Sequence, residues 1–222
     1  MHRRHRKGFS RDTLLAMGTG ACIIPDAMGR LKIGVLGSGK GSNFRAILSE
    51  IQAGRLDAEA VVVMSDVEDA GILDLARGAG IPAQVIREPK FRTKLSPEVE
   101  AGVIAGLREA GTELVVLAGY MRIVKAPLLE AFPRRVINIH PSLLPAFPGL
   151  EAWRQALEAG VEKSGCTVHF VDSGMDTGEI IAQAEVPVLS GDTAESLHAR
   201  IQVEEHKLYP GVVARFVAGE LP

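Results

Sequence analysis

The chain has 222 residues, which is enough for one full-sized α/β domain with a large buried core. Hydrophobic residues make up 46% and charged residues 23%, an ordinary globular composition, and the formal net charge is -2. This balance excludes an overall field that attracts nucleic acid or an anionic membrane, so we expect neither partner. The two cysteines lie outside any CxxC pair, which gives no sign of zinc or redox chemistry and suits a reducing cytoplasm.

The first thirty residues differ from the rest of the chain. They begin with a cationic run, His2–Lys7, and continue through a mildly apolar stretch, Leu14–Pro25, that glycines interrupt. A targeting signal would combine such a start with an apolar stretch, but a clean small-residue cleavage site is missing here. We therefore expect residues 1–30 to be a disordered N-terminal extension, residues 31–222 to form one folded domain, and the protein to be cytoplasmic.

From residue 32 onward, short apolar runs alternate with amphipathic stretches. The pattern predicts strands over 33–36, 60–64, 81–86, 114–118 and 136–139, with helices over 44–51, 72–79 and 97–110 between them. Strands that are apolar throughout and alternate with helices indicate a parallel sheet covered on both faces. Two later strands, 166–171 and 180–188, and a final helix, 193–218, complete the pattern. The predicted fold class is α/β: a mostly parallel Rossmann-like sheet with helices on both faces and an antiparallel C-terminal extension.

A glycine-rich turn, Gly37–Asn43, joins the first predicted strand to the first helix. Its glycines let the backbone approach a ligand, and we expect Ser42 or Asn43 to cap a helix whose first N–H groups attract an anion such as phosphate. Two nucleotide-binding motifs match incompletely. Gly41 stands where GxxxxGK[ST] needs Ser or Thr, and Ser42 takes the third glycine position of GxGxxG. A tight turn that binds nothing remains the alternative.

Polar side chains lie at the end of the fifth predicted strand. Asn138 and His140 are two residues apart and therefore project to the same face, and Pro141 ends the strand after His140. Ligands of parallel α/β sheets bind at this edge. A carboxamide and an imidazole can both donate to an oxygen that becomes negative in a tetrahedral intermediate. A buried histidine satisfied by its neighbours is the alternative.

A carboxylate beside His140 would keep the imidazole protonated. Asp172 and Asp176 both lie in the loop between the two late strands, and composition alone does not separate them. Solvated turn residues are the usual interpretation for Asp beside Gly, and this alternative stays open. We interpret His169, within the alternating run CTVHFV, as a hydrogen-bonded strand residue. Arg122, after the fourth strand, has a surface position as its simplest interpretation.

The segment NIHPSLLP at 138–145, followed by FPGL at 147–150, resembles the signature of the phosphoribosylglycinamide formyltransferase family. Further similarities follow the family order: GKGSN at 39–43, LAGYMRI at 117–123, TVHFV at 167–171 and QVEEH at 202–206. The resemblance runs from about residue 32 to the C terminus. It implies an enzyme that transfers the formyl group of 10-formyltetrahydrofolate to the amine of 5-phosphoribosylglycinamide in de novo purine synthesis. It also implies direct attack without a metal, in a monomer or a homodimer.

The resemblance implies roles for individual residues. His140 is implied to be the general acid and oxyanion donor, with Asn138 as its partner, while Asp176 holds the histidine protonated and relays a proton through water. Residues implied to bind the phosphorylated substrate are Gly41, Ser42, Asn43, Gln202, Val203, Glu204 and Glu205. Residues implied to line the folate pocket are Lys94, Met121, Arg122, Ile123, Val124, Asn138, Asp172, Ser173, Gly174, Met175 and Asp176. Lys94 stands where the family usually has arginine, so it keeps the charge but loses the planar bidentate fork.

Other functions, which fall into three classes, are consistent with parts of the sequence. Methionyl-tRNA formyltransferase and formyltetrahydrofolate hydrolase share the core resemblance, but we expect them to carry additional domains. A nucleotide-binding module, an NTPase or a dehydrogenase, is favoured by Lys40 and opposed by the incomplete motifs. A catalytically silent folate or phosphate carrier would bind its ligand equally well after His140→Ala.

Overall fold

The computed structural model describes residues 29–222. The expectation of a disordered extension concerns residues that lie almost wholly outside this range. Within residues 29–222, no helix is long and apolar enough to cross a membrane.

The described residues form one seven-stranded sheet in the order β3-β2-β1-β4-β5-β6-β7. The strands are β1 (Leu31–Leu36), β2 (Ala58–Ser65), β3 (Ala83–Val85), β4 (Leu114–Leu117), β5 (Val136–His140), β6 (Lys163–Phe170) and β7 (Ile180–Pro187). The first five strands pair in parallel, whereas β6 pairs antiparallel with both β5 and β7. The predicted fold class and its antiparallel extension are confirmed.

Helices cover both faces of the sheet. They are α1 (Ser42–Gln52), α2 (Gly71–Gly78), α3 (Pro97–Glu109), α4 (Ala126–Ala131), α5 (Ala152–Glu158) and α6 (Ala194–Val217). The sequence pattern did not predict α4 and α5, because helices of 6 and 7 residues are too short to show helical periodicity. The third strand is also shorter than predicted. It lies at the edge of the sheet, and Pro82 before it has no N–H to donate.

The core consists of two layers, one on each face of the sheet. Successive strand residues point to opposite faces, so Val116 packs with α1, α2 and α6, while Val115 packs with α3 and α4. Tyr209 of α6 is fully buried and donates its hydroxyl hydrogen toward the carbonyls of Leu117 (2.8 Å) and Ile137 (3.1 Å). This side chain therefore fixes α6 against β4 and β5.

The parallel strands bring four chain segments to one edge of the sheet. The glycine-rich turn follows β1, Asp66 follows β2, Met121 lies beyond β4, and His140 ends β5. Because the carboxyl ends of parallel strands share an edge, these segments are neighbours although they are far apart in sequence.

Candidate active site

His140 is held between two loops. It is 4% exposed, and its Nε2 lies 2.9 Å from the carbonyl oxygen of Phe147. Its Nδ1 lies 3.4 Å from Oδ2 of Asp176. A carbonyl can only accept, so Nε2 carries a hydrogen, and Nδ1 is the nitrogen that faces the carboxylate. The distance of 3.4 Å between Nδ1 and Oδ2 of Asp176 is longer than an ordinary N–H···O bond, so the two groups are neighbours without a close hydrogen bond.

Asp176 is held in position by its backbone and by a hydrogen bond. Its φ of 55° places it in the left-handed region, which Asp tolerates better than most residues. The N–H of Gly149 donates to Oδ2 of Asp176 at 2.9 Å, which ties the loop before β7 to the loop after β5. Asp172 makes different contacts. It accepts from the N–H of Gly174 (3.0 Å) and from the hydroxyl of Thr177 (2.8 Å), as a turn residue does. Of the two candidates, Asp176 is the one beside His140.

Asn138 lies opposite His169 in the antiparallel pairing of β5 and β6. The ring of His169 places Nδ1 2.8 Å from the carbonyl of Phe170, so Nδ1 carries the hydrogen of the neutral ring. Nε2 then accepts from the Nδ2 group of Asn138 at 3.3 Å. Burial lowers the pKa of His169, which favours this neutral form. The contact fixes the direction of the Asn138 amide and leaves its second N–H for a ligand.

His169 is the residue of this site for which the sequence predicted no catalytic or binding role. It is a hydrogen-bonded strand residue, as interpreted, but its Nε2 also lies 3.7 Å from Oδ1 of Asp176. Only the register of β6 against β5 reveals this proximity. We refer below to Asn138, His140, His169 and Asp176 together as the polar cluster.

The start of α1 differs from its prediction. Gly41, with φ 77°, occupies the N-cap position, and no side chain caps the helix, so the expectation that Ser42 or Asn43 does so is wrong. The left-handed φ favours glycine at this position. Because the helix has no side-chain cap, its first N–H groups are available to an anion. We call Gly41, Ser42 and Asn43 the α1 turn.

Asn43 points to α6 instead of capping α1. Its Nδ2 group donates to Oε2 of Glu205 at 3.0 Å, and Glu205 is only 4% exposed. Burial raises the pKa of Glu205. Oδ1 of Asn43 is buried and has no hydrogen-bond partner among residues 29–222. A buried acceptor without a partner is costly, and a donor on a ligand would satisfy it.

The other α6 residues implied to contact substrate are placed differently. Gln202 is partly buried, and Val203 is half-exposed. Glu204 pairs with Lys207 at 2.8 Å and lines a groove against Ala182 of β7. The structure thus brings Glu205, and not Glu204, to the α1 turn.

The residues implied to line a folate pocket divide into exposed and buried side chains. Met121, Ile123 and Met175 expose about half or more of their surface. Ser173 and Gly174 are also exposed, in the loop before Asp176.

Val124 and Arg122 are buried instead. Val124 packs in the core, and Arg122 forms an ion pair with Asp66 at 2.7 Å, so the interpretation of Arg122 as a surface residue is wrong. Both residues can offer a ligand mainly their backbone. The ammonium of Lys94 lies 4.7 Å from the ring centre of Phe91.

An α/β fold that gathers an amide, an imidazole and a carboxylate at the carboxyl edge of its sheet has the groups that a class of enzymes acting on a carbonyl group requires. Comparison with known families narrows this class. The sequence model of the family described as formyl transferase matches residues 31–213, and the chain belongs to that family.

The names of similar proteins are consistent with membership of this family. The chain is 42% identical over 186 residues to a phosphoribosylglycinamide formyltransferase of Bacillus subtilis, covering 84% of this chain and 94% of the relative. It is 45% identical to a trifunctional purine biosynthetic protein adenosine-3 of Drosophila pseudoobscura pseudoobscura, but the match covers 86% of this chain and only 14% of that protein. The solved structure of glycinamide ribonucleotide transformylase 1 from Symbiobacterium toebii is 51% identical, with a TM-score of 0.81 and coverage of 86% and 89%.

Proposed function

We propose that the chain transfers the formyl group of 10-formyltetrahydrofolate to the amine of 5-phosphoribosylglycinamide. The observation that carries this proposal is the convergence of Asn138, His140 and Asp176 at the edge of the sheet that also holds the α1 turn, in a chain of the formyl transferase family. The names of the B. subtilis and S. toebii relatives support the choice of substrate.

The α1 turn is proposed to hold the substrate phosphate. The first N–H groups of α1 and the positive end of its dipole suit an anion, and the net charge of the chain does not supply a general attraction. Asn43 of this turn and its hydrogen-bond partner Glu205 are proposed to bind the ribose or glycinamide part through hydrogen bonds. In this way the phosphate anchors the substrate, and its amine reaches toward the polar cluster.

The polar cluster is proposed to hold the formyl carbonyl. The free N–H of Asn138 and the Nδ1–H of a protonated His140 donate to the carbonyl oxygen as it becomes negative. One donor of this kind is typically worth about 2.7–4 kcal/mol of barrier. The substrate amine forms a bond to the formyl carbon, and the bond from that carbon to N10 of the folate then breaks. The proton lost by the amine is transferred to N10.

Asp176 is proposed to have two tasks in this sequence. Its carboxylate places a negative charge beside Nδ1 of His140 while that ring donates to the developing oxyanion, and it accepts a proton from the attacking amine through a water molecule. The bond from Gly149 keeps Oδ2 in place while the charge on the substrate changes. Holding the amine and the formyl group together contributes further, up to roughly 7–11 kcal/mol in well-oriented intramolecular reactions.

The folate is proposed to lie along the exposed side chains of Met121, Ile123 and Met175, with Lys94 near its acidic end. A lysine can neutralise a carboxylate as a point charge but cannot form the bidentate pair of an arginine. We therefore expect Lys94 to retain folate binding but to hold that end of the folate less rigidly than an arginine would.

Release of tetrahydrofolate from 10-formyltetrahydrofolate, followed with and without 5-phosphoribosylglycinamide, tests the proposal. We expect release to depend on the phosphorylated amine and to match the amount of formylated product. Release without the amine would indicate a hydrolase. Binding of either compound without turnover would indicate a carrier.

A further inference from the structure

A buried ion pair lies at the carboxyl edge of the sheet, outside the polar cluster. Nε of Arg122 donates to Oδ2 of Asp66 at 2.7 Å, and the side chains are only 9% and 8% exposed. Five other ion pairs of the described residues that join Arg to Asp or Glu, among them Arg87–Glu68, have both partners more than 45% exposed. Burying two charges costs desolvation free energy, and apolar residues of the same size would often be as stable. The pair therefore calls for an explanation other than stability.

The carboxylate of Asp66 joins two segments of the edge. Its Oδ1 accepts from the hydroxyl of Ser38 in the glycine-rich turn at 2.5 Å. That hydroxyl oxygen in turn accepts from the N–H of Met121 at 2.9 Å. Both oxygens of Asp66 are thus used, one toward the turn after β1 and one toward the segment after β4.

The guanidinium of Arg122 extends this network to a third segment. Its Nη1 donates to the carbonyls of Phe91 (2.7 Å) and Lys94 (3.1 Å). The N–H of Ile123 also donates to the carbonyl of Thr93 at 2.8 Å, so two layers of bonds attach residues 91–94 to residues 121–124. Residues 91–94 have little regular structure of their own, and these bonds fix their backbone.

We propose that Asp66 is a positioning residue for the folate: through Arg122 it holds residues 91–94 and 121–124 in the arrangement that receives the co-substrate. The inference rests on the proposed function, since that function assigns both segments to folate. The side chain of Asp66 is only 8% exposed, and its two oxygens are engaged by Ser38 and Arg122. It acts on affinity for the co-substrate and not on the chemical step.

Kinetics of Asp66→Asn test this role. The amide keeps the shape of the carboxylate but loses the charge and one of the two acceptors. We expect the KM for 10-formyltetrahydrofolate to rise about tenfold, while kcat and the KM for 5-phosphoribosylglycinamide stay within about threefold. Equal rises of both KM values, or an unchanged folate KM, would overturn the inference.

Two further variants separate positioning from simple stability. Glu68 is two residues from Asp66 and forms an exposed ion pair with Arg87. Glu68→Gln removes this pair, and we expect kcat and both KM values to stay within about twofold. Arg122→Lys keeps the charge but carries its three N–H donors on one nitrogen and cannot spread them as the planar guanidinium does, so we expect it to raise the folate KM as well. If Asp66→Asn fails to fold, a normal folate KM in Arg122→Lys overturns the inference by itself. The double variant should be no worse than the worse single variant, because the two residues act as a unit.

Amide hydrogen exchange gives a measure that does not depend on turnover. The N–H groups of Met121 and Ile123 are both bonded within this network, and we expect them to exchange faster in Asp66→Asn, while the amide of Ile137 in β5 does not change. Faster exchange without transferase activity in the wild type would reject the proposed function but not the network. Unchanged exchange at both amides would reject the network.

Discussion

The polar cluster and the α1 turn share one edge of the sheet but differ in how their polar groups are satisfied. In the polar cluster the groups bind one another: Asn138 donates to His169, and His140 lies between Phe147 and Asp176. In the α1 turn the helix has no side-chain cap, and Oδ1 of Asn43 has no partner within the described range 29–222. Donors fixed in advance need little reorganisation when charge develops, whereas open groups are completed by a ligand. The polar cluster should therefore control rate, and the α1 turn should control affinity.

The largest effect is expected from Asp176→Asn. The amide lacks the negative charge beside Nδ1 of His140 and cannot take a proton, so we expect kcat to fall by at least about a hundredfold. The KM for 5-phosphoribosylglycinamide should stay within about threefold if the two regions are separate. Steady-state release of tetrahydrofolate measures both constants. Near-normal turnover would remove Asp176 from the mechanism.

A smaller and different effect is expected from Glu205→Gln. We expect the KM for 5-phosphoribosylglycinamide to rise about tenfold with kcat little changed, because a charged hydrogen-bond partner of the substrate is lost. A drop in kcat of the size expected for Asp176→Asn would erase the distinction between the regions.

The same variant should be more stable at neutral pH. Burial raises the pKa of Glu205, so the native state binds more protons than the unfolded state above about pH 4.5, and the free energy of unfolding falls as pH rises through that range. Glutamine does not ionise. The melting temperature of Glu205→Gln should therefore exceed that of the wild type by an amount that grows as the pH rises above about 4.5. A difference in melting temperature that does not change with pH would contradict a raised pKa of Glu205.

The smallest effect is expected from His169→Gln, which keeps an acceptor for Asn138 but loses the rigid ring. We expect kcat to fall about threefold to tenfold, since His169 orients a donor without touching the substrate. Burial lowers the pKa of His169 from its ordinary value of 6.5, so at lower pH the unfolded state binds more protons than the native state. The free energy of unfolding of the wild type therefore falls as the pH decreases below about 6.5. The variant should lose less stability between pH 6.5 and pH 5 in thermal unfolding. An identical pH dependence would contradict the neutral ring.

The sequence predicts those parts of the fold that depend on local pattern. Buried parallel strands are continuous apolar runs, and α6 is long and amphipathic, so their positions follow from hydrophobic periodicity. Asn138 and His140 are predictable as neighbours because they are two apart on one strand. The α1 turn is predictable because glycine is suited to the left-handed φ of Gly41.

Contacts between strands distant in sequence are not predictable in this way. His169 meets Asn138 because of the register of β6 on β5, and nothing local sets that register. Asp66 follows β2 and Arg122 lies beyond β4, and these two strands flank β1 in the sheet, so the two side chains meet across the end of β1. Because Arg122 is charged, the sequence alone favours a surface position for it. Only the order of the strands shows that its side chain is buried.

The most direct test of the account is the kcat of His140→Ala, measured beside its equilibrium binding of 5-phosphoribosylglycinamide. We expect kcat to fall by at least about a hundredfold, because an oxyanion donor is lost, while the dissociation constant stays within about twofold. Near-normal turnover, or a loss of binding as large as the loss of rate, would contradict it.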